Sequence, residues 1–254
     1  MLRTRVIPCL LLKNRGLVKT ISFADPKYVG DPINAVRIFN EMEVDELILL
    51  DIEASKKGTP PDFELIQDII SEAFMPIAYG GGIRRAEEAQ RLVSLGVEKV
   101  VVNSAILRNR GLVHEISEKL GASSTVVAVD VKKDWLGRYR VYDTLAGKTT
   151  DKDPLAYIRE AISGGAGEIF VNDVAREGTG KGYDIDLIRT LAPEISVPLI
   201  ACGGAGIPEH FRKAADAGAS AVAAGSMFVY MGRHRAVMIN YPPQRTLEGI
   251  FKNG

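Results

Sequence analysis

The segment Ile77-Ala78-Tyr79-Gly80-Gly81-Gly82-Ile83 decides the fold, because an apolar run ending in three glycines is typical of a buried strand that opens onto a ligand. Ile200-Ala201-Cys202-Gly203-Gly204-Ala205-Gly206 repeats the pattern. About twenty residues after each copy, a second apolar run ends in a small polar residue, at Val102-Asn103-Ser104 and at Ala224-Gly225-Ser226. Backbone N–H groups at such strand ends can bind phosphate. The sequence therefore predicts two phosphate sites, with tight ligand-free turns as the alternative.

The rest of the chain alternates strand-like runs with segments of helical periodicity. Eight runs are predicted to be strands: 6–12, 46–52, 76–79, 99–103, 126–131, 168–173, 198–202 and 221–224. Seven segments between them are predicted to be helices: 32–43, 63–73, 86–95, 112–120, 154–163, 186–191 and 208–217. At this length the pattern favours a single α/β domain over residues 1–254, a closed (β/α)8 TIM barrel. An open doubly wound sheet would need a glycine fingerprint after the first strand, where Leu12-Lys13-Asn14-Arg15-Gly16 stands instead.

An internal repeat supports the barrel. Three pairs of matching positions, Gly96 and Gly218, Glu46 and Glu168, and Ser104 and Ser226, each lie 122 residues apart, which is nearly half of the 254-residue chain. Two half-barrels would place the two phosphate sites on opposite sides of one mouth, at the carboxyl ends of the strands. Two segments lie outside the repeat, a hairpin predicted at about 138–150 and a divergent tail at about 231–254.

Composition narrows the class of protein. The chain carries 32 basic and 32 acidic residues, so its bulk charge attracts neither nucleic acid nor an anionic membrane. No apolar run approaches the length of a bilayer span, and we predict a cytoplasmic protein. Cys9 and Cys202 lie in apolar runs, where we expect free buried thiols. We predict neither a metal site nor a cofactor.

Six motifs in register along the chain resemble the HisF family, the cyclase subunits of imidazole glycerol phosphate synthase. They are Arg5-Val6-Ile7-Pro8-Cys9-Leu10, Asp45-Glu46-Leu47 with Leu50-Asp51-Ile52, Tyr79-Gly80-Gly81-Gly82-Ile83, Val127-Ala128-Val129-Asp130, Gly167-Glu168-Ile169 and Ala201-Cys202-Gly203-Gly204-Ala205-Gly206. The resemblance implies a barrel that receives ammonia from a separate glutaminase subunit of the HisH type. It also implies a bisphosphorylated substrate, ribulosyl-formimino-aminoimidazole carboxamide ribonucleotide, which is converted to imidazole glycerol phosphate and aminoimidazole carboxamide ribonucleotide.

The same resemblance implies general acid–base catalysis by two aspartates, at the ends of the first and fifth strands. Asp130 occupies the fifth-strand position, but Leu11 stands at the first-strand position and cannot transfer a proton. Glu177 stands where the family has an aspartate near the substrate. Structural alternatives are a loop cap for Asp130 and a solvated carboxylate for Glu177. The predicted phosphate-binding residues are Gly81, Gly82, Asn103 and Ser104 in one set, and Gly178, Gly203, Gly204, Gly225 and Ser226 in the other.

Four charged residues stand at the starts of predicted strands one, two, four and six, and they match the family's charged ring at the bottom of the barrel, through which ammonia passes: Arg5, Glu46, Lys99 and Glu168. Charges at strand starts are usually solvated surface, but four in register, two of each sign, favour a ring that closes through two salt bridges.

The charged ring for ammonia delivery matches the family, whereas Leu11 at the first-strand catalytic position does not. Together these features favour a diverged paralogue. We expect one that supplies ammonia for sugar amidination in surface-polysaccharide biosynthesis, with reduced or altered cyclase (lyase) activity. The segment Leu10–Thr20 resembles that branch. The main alternative is the orthodox cyclase subunit of histidine biosynthesis, and a second is a non-catalytic ammonia conduit.

Overall fold

The computed structural model describes residues 4–252. Fourteen strands are described: β1 Arg5–Lys13, β2 Gly16–Ile21, β3 Ala24–Gly30, β4 Leu47–Asp51, β5 Ile77–Gly80, β6 Lys99–Val102, β7 Thr125–Lys133, β8 Tyr139–Asp143, β9 Lys148–Thr149, β10 Glu168–Asp173, β11 Leu199–Cys202, β12 Ala221–Ala224, β13 Tyr230–Met231 and β14 Ala236–Val237. Within the same residues lie ten α-helices: α1 Pro32–Glu41, α2 Ala54–Lys57, α3 Phe63–Ser71, α4 Ala86–Ser94, α5 Gly111–Leu120, α6 Pro154–Ser163, α7 Ile185–Leu191, α8 Glu209–Asp216, α9 Ser226–Val229 and α10 Gln244–Lys252.

Eight parallel strands close into a barrel. The hydrogen-bonded order is β1, β4, β5, β6, β7, β10, β11 and β12, and β12 pairs again with β1. The pairing of β7 with β10 joins the two halves of the chain. It runs from Glu168 opposite Val126 to Asp173 opposite Val131. The predicted (β/α)8 TIM barrel is therefore confirmed.

Local signals explain where the outer helices begin. Asp31, Asp62, Asp153 and Asp184 each precede a helix, and each carboxylate accepts a hydrogen bond from the backbone N–H three residues later. Such N-caps satisfy donors that the helix itself leaves free. In α1 and α6 a proline follows the cap, at a position that requires no N–H donor.

Alternation along the strands produces two apolar layers. Outward side chains pack beneath the helices, whereas inward side chains fill the barrel. The inward set consists of Ile7, Cys9, Ile48, Ala78, Val101, Val126, Ala128, Phe170, Ile200, Ala221 and Ala223. The inward positions continue to both ends of the barrel. They therefore bring charged residues together below the filled interior and functional residues together above it.

Three additional segments interrupt the alternation of barrel strands and helices. Strands β2 and β3 form an antiparallel hairpin after β1, which the sequence analysis missed. In the segment predicted as a hairpin, residues 138–150, β8 pairs antiparallel with β9, and it also pairs antiparallel with the end of β7. In the tail, β13 and β14 form a short antiparallel pair, and α10 then packs on α8 with Leu247 buried. Among residues 4–252, no helix is both long and apolar enough to cross a membrane.

Candidate functional site

The carboxyl ends of the barrel strands surround two cavities. The larger, of about 140 Å³, is lined among others by Gly81, Gly82, Asn103, Ser104 and Asp130. The smaller, of about 40 Å³, is lined among others by Glu177, Gly178, Gly203, Gly204, Gly225 and Ser226. Each predicted phosphate-binding set is thus gathered around its own cavity, and each cavity contains one of the two predicted catalytic carboxylates.

Asp130 lies at the carboxyl end of β7 with its side chain inside the mouth. Its Oδ2 accepts hydrogen bonds of 2.7 Å from Asn103 Nδ2 and of 2.7 Å from Thr144 Oγ1. Burial raises the pKa of the Asp130 carboxyl to about 6, although hydrogen bonds from Thr144, Asn103 and Asn172 oppose the increase. A carboxyl with this pKa can both accept and return a proton near neutral pH.

Leu11 contributes to an apolar wall between the cavities. It lies opposite Leu50 in the pairing of β1 with β4, and both leucines line both cavities together with Phe23 and Asn172. The side chain at position 11 therefore faces the mouth, where a carboxylate could have reached a ligand. With leucine there, this part of the mouth is apolar and transfers no proton.

The first glycine set is held in conformations that exclude other residues. Gly81 and Gly82 have φ angles of 118° and 73°, which L side chains rarely adopt. The Gly82 N–H donates to Ser55 Oγ at 3.2 Å, so a phosphate would compete with a side-chain partner for this donor. Asn103 uses its amide N–H on Asp130, and it therefore connects the phosphate-binding set to the carboxylate.

Lys19 dominates the second cavity, and the sequence analysis missed it. It is only 4% exposed, and its Nζ donates to the Cys9 carbonyl oxygen at 3.3 Å. A Cβ atom at Gly225 would lie 2.9 Å from the rigid Cys9 carbonyl oxygen and would displace this ammonium group, so the glycine leaves room for the lysine. Ser226 Oγ has no hydrogen-bond partner among the described residues. The cavity thus combines a buried lysine, a hydroxyl without a partner and a lining of glycines, a combination suited to an anion.

Glu177 holds the β2–β3 hairpin over the mouth. Its Oε2 accepts hydrogen bonds from Thr20 Oγ1 at 3.0 Å and from the Phe23 N–H at 3.3 Å, while its carbonyl oxygen accepts from the Ser22 N–H at 3.0 Å. Gly178 lies against the Thr20 carbonyl oxygen, with no space for a side chain. The carboxylate of Glu177 therefore serves the hairpin in this conformation.

At the opposite end, Arg5, Glu46, Lys99 and Glu168 form a closed ring. Arg5 bonds to both glutamates, and Lys99 Nζ lies 3.2 Å from Glu46 Oε1 and 3.0 Å from Glu168 Oε2. The expectation of two salt bridges was too low, because each cation contacts both carboxylates. Burial alone would lower the pKa of the Arg5 guanidinium, but the attraction of Glu168 and Glu46 exceeds this effect and raises it.

Asn172 is a second residue that the sequence analysis missed. It lies on β10, opposite Asp130 in the pairing with β7, and it is 7% exposed. Its proximity lowers the pKa of the Asp130 carboxyl and so opposes part of the increase caused by burial, and its Oδ1 has no hydrogen-bond partner among the described residues. Its signal in the sequence is a polar residue at an inward position of a buried strand, two residues beyond Phe170.

No group of three or more metal-binding side chains is found within residues 4–252. This arrangement of side chains can transfer protons through Asp130, bind anionic groups in two cavities, and hold a neutralised ring of charge at the far end of the barrel.

Comparisons with known proteins agree with this geometry. Residues 5–235 match a family model described as histidine biosynthesis protein. A Pseudomonas aeruginosa protein, provisionally named imidazole glycerol phosphate synthase subunit hisF2, is 50% identical over 98% of this chain and 99% of its own. A Vibrio vulnificus protein, provisionally named subunit hisF3, is 45% identical over 95% and 94%. Imidazole glycerol phosphate synthase subunit HisF of Exiguobacterium sibiricum is 38% identical over 90% and 91%. The chain belongs to the HisF family of histidine biosynthesis proteins.

Proposed function

We propose that this chain is a diverged HisF-type cyclase subunit that works in the cytoplasm as a heterodimer with a glutaminase subunit of the HisH type. Ammonia enters through the ring of Arg5, Glu46, Lys99 and Glu168, passes along the barrel interior and reacts at the mouth with a phosphorylated substrate. The reaction serves sugar amidination in surface-polysaccharide biosynthesis. Nucleic acids and membranes are not partners in this proposal.

The contrast between Leu11 and the closed ring carries the proposal. The ring retains four charged residues in mutual contact, whereas the first-strand catalytic position has lost its carboxylate. A cyclase that still used acid–base catalysis by two carboxylates would require a proton-transfer group at position 11, and leucine is not one. The two relatives whose names carry the suffix 2 or 3 are also more similar to this chain than the Exiguobacterium HisF is.

Each cavity has features that support binding of a phosphate group. In the first, Asp130 stands beside the glycine strand end, so that acid–base chemistry would occur next to a bound phosphate. In the second, Lys19 supplies a buried positive charge beside Gly225 and Ser226. We infer that the two cavities hold the two ends of one elongated substrate.

The orthodox histidine-pathway cyclase is the second candidate, and the retained Asp130 favours it. A non-catalytic conduit is the third. Sulfate or phosphate bound in both cavities of crystals grown with these anions would argue against the conduit. Occupancy of neither cavity at high anion concentration would favour the conduit instead.

Coupling to the glutaminase tests the central claim. In the complex, Lys99→Ala should leave glutamine hydrolysis active while ammonia escapes, so that less acceptor is aminated per glutamine consumed. Use of free ammonium should change less. Lys119→Ala, which removes the exposed partner of Glu87, is the matched control. A pull-down verifies that the complex still forms, and an unchanged ratio in Lys99→Ala would show that ammonia does not pass through this ring.

A further inference from the structure

One phenyl ring is almost fully exposed at the ring end, the end of the barrel that carries the charged ring. Phe74 lies in the turn between α3 and β5, and its side chain is 90% exposed. Among the described residues, it is the only exposed large apolar side chain in a turn that leads directly into a barrel strand. Single exposed apolar residues are common on protein surfaces, so a role for Phe74 has to rest on its position and its support.

The turn places Phe74 beside the charged ring. Strand β5 lies between β4 and β6, and Glu46 and Lys99 stand at the ring ends of those two neighbours. The Leu47 N–H donates to the Pro76 carbonyl oxygen at 2.9 Å, which joins the end of the turn to the strand that follows Glu46. A partner that delivers ammonia to the ring without loss has to cover the outer opening of the ring, and it then also covers Phe74.

Contacts from α1 hold the turn in place. Asn40 Oδ1 accepts a hydrogen bond of 2.9 Å from the Phe74 N–H, and Asn40 Nδ2 donates to the Glu72 carbonyl oxygen at 2.6 Å. Arg37 binds the Glu72 carboxylate through two hydrogen bonds, of 2.9 Å and 2.6 Å. None of these contacts uses the phenyl ring, so they fix its backbone without covering it. An aromatic group on a prearranged turn loses little conformational entropy when a partner buries it.

We propose that Phe74 is the apolar anchor through which the barrel docks its glutaminase subunit, an inference that rests on the proposed function. The phenyl ring enters an apolar pocket on the glutaminase. Buried aromatic side chains of this kind carry much of the binding energy of protein interfaces.

Charge at the ring end indicates what surrounds that pocket. Glu43 precedes β4, Glu98 precedes β6, and both side chains are exposed. Neither carboxylate has an ion-pair partner among residues 4–252. A pocket bordered by lysine or arginine would complement these charges. A second copy of this chain is less suitable, because it would bring the same unpaired carboxylates to the interface.

Calorimetric titration tests the anchor. The probe is the purified HisH-type glutaminase encoded in the same genome, added to the full-length wild type, Phe74→Ala, Phe74→Leu and Trp135→Ala. We expect Phe74→Ala to raise the Kd by roughly 30-fold. Phe74→Leu should raise it less, because leucine retains most of the apolar surface.

Trp135→Ala is the matched control. Trp135 is 89% exposed, but it lies in the turn between β7 and β8, at the mouth. Its replacement should leave the Kd within about twofold of the wild-type value. Because both aromatic side chains are exposed, thermal unfolding should give the same midpoint for all four proteins.

Three outcomes would overturn the proposal: an unchanged Kd in Phe74→Ala, an equal loss of affinity in Trp135→Ala, or a wild-type dimer that Phe74→Ala abolishes in sedimentation. The second would place the glutaminase at the mouth, and the third would make a second copy the occupant. If the wild type binds the glutaminase and Phe74→Ala binds equally well, only the anchor is wrong. If the wild type does not bind the glutaminase, the proposed function fails as well.

Discussion

The two ends of the barrel differ in how their charges are satisfied. At the ring, two cations and two carboxylates neutralise one another, and Glu46 and Glu168 are 3% and 4% exposed. At the mouth, Asp130 is equally buried but is held by neutral donors, and its pKa is raised. Paired charges build a stable structural feature, whereas an unpaired carboxyl held by neutral donors is suited to exchange protons. The difference teaches that one barrel can hold two kinds of buried carboxylate, one neutralised by cations and one held by neutral donors.

The largest expected effect is on cyclase turnover, when a carboxylate is placed at position 11. A positioned proton-transfer group typically contributes about 10² to 10⁴-fold to the rate. With ammonium salts, we therefore expect this chain to turn over the histidine-pathway substrate very weakly, and Leu11→Asp to recover part of the loss. The measurement is cyclase turnover at saturating ammonium.

Leu11→Asn is the matched control for this variant, because it introduces a polar group of the same shape that cannot exchange a proton. Burial of a new carboxylate beside Leu50 costs stability, so both variants are also compared by thermal unfolding. Wild-type turnover equal to that of an orthodox cyclase would contradict the proposed divergence.

Breaking the ring should have the next largest effect. Lys99→Met keeps the length of the side chain but leaves Glu46 and Glu168 with Arg5 alone. Because the two carboxylates are nearly inaccessible, we expect the free energy of unfolding to fall by about 3 kcal/mol. Lys119→Met removes an exposed pair with Glu87 and should cost less than about 1 kcal/mol. Equal losses in the two variants, measured by urea denaturation, would show that the ring is ordinary surface.

The barrel itself could be predicted from the sequence because its signals are local. Apolar runs that alternate with segments of helical periodicity define the eight strands, and aspartates such as Asp31 and Asp153 define helix starts. The β2–β3 hairpin could not be predicted in this way, since β3 contains Asp25, Pro26 and Lys27, which strands normally avoid. Its pairing with β2 and its attachment to Glu177 come from tertiary contacts.

The candidate site was predicted in part for the same reason. Glycine strand ends and Asp130 are visible in the sequence, because they interrupt apolar runs. Lys19 and Thr144 carry no comparable signal, since each becomes part of the mouth only through its place in the fold, whereas Asn172 follows an apolar run in β10 and could have been found. Lys19 reaches the second cavity through the hairpin, and Thr144 reaches Asp130 from the turn after β8.

The raised pKa of Asp130 predicts a pH-dependent stability. An acid whose pKa is higher in the folded state binds protons more tightly there, so its stabilising contribution is present below the ordinary pKa near 4 and is lost as pH rises through about 6. Asp130→Asn, which cannot ionise, should therefore be more stable than wild type by up to about 3 kcal/mol above this window. The gain should vanish at acidic pH. A constant difference between the two proteins from acidic to alkaline pH, in denaturation curves, would contradict the assignment.

The smallest expected effect concerns the hairpin that covers the mouth. Thr20→Val keeps the shape of a buried side chain but removes the hydroxyl that donates to Glu177. Loss of a hydrogen bond to a carboxylate should cost about 1.5 kcal/mol, which corresponds to an increase of roughly tenfold in local opening. Hydrogen exchange at the Ser22 and Phe23 amides, both bound to Glu177, should accelerate by this factor, while amides in β10 keep their protection. Thr190→Val, which removes an exposed hydroxyl bonded to the Asp186 carbonyl oxygen, is the control and should leave the hairpin unchanged. Unaltered exchange at both amides in Thr20→Val would show that Glu177 does not hold the hairpin, and its carboxylate would then be free to act on a ligand.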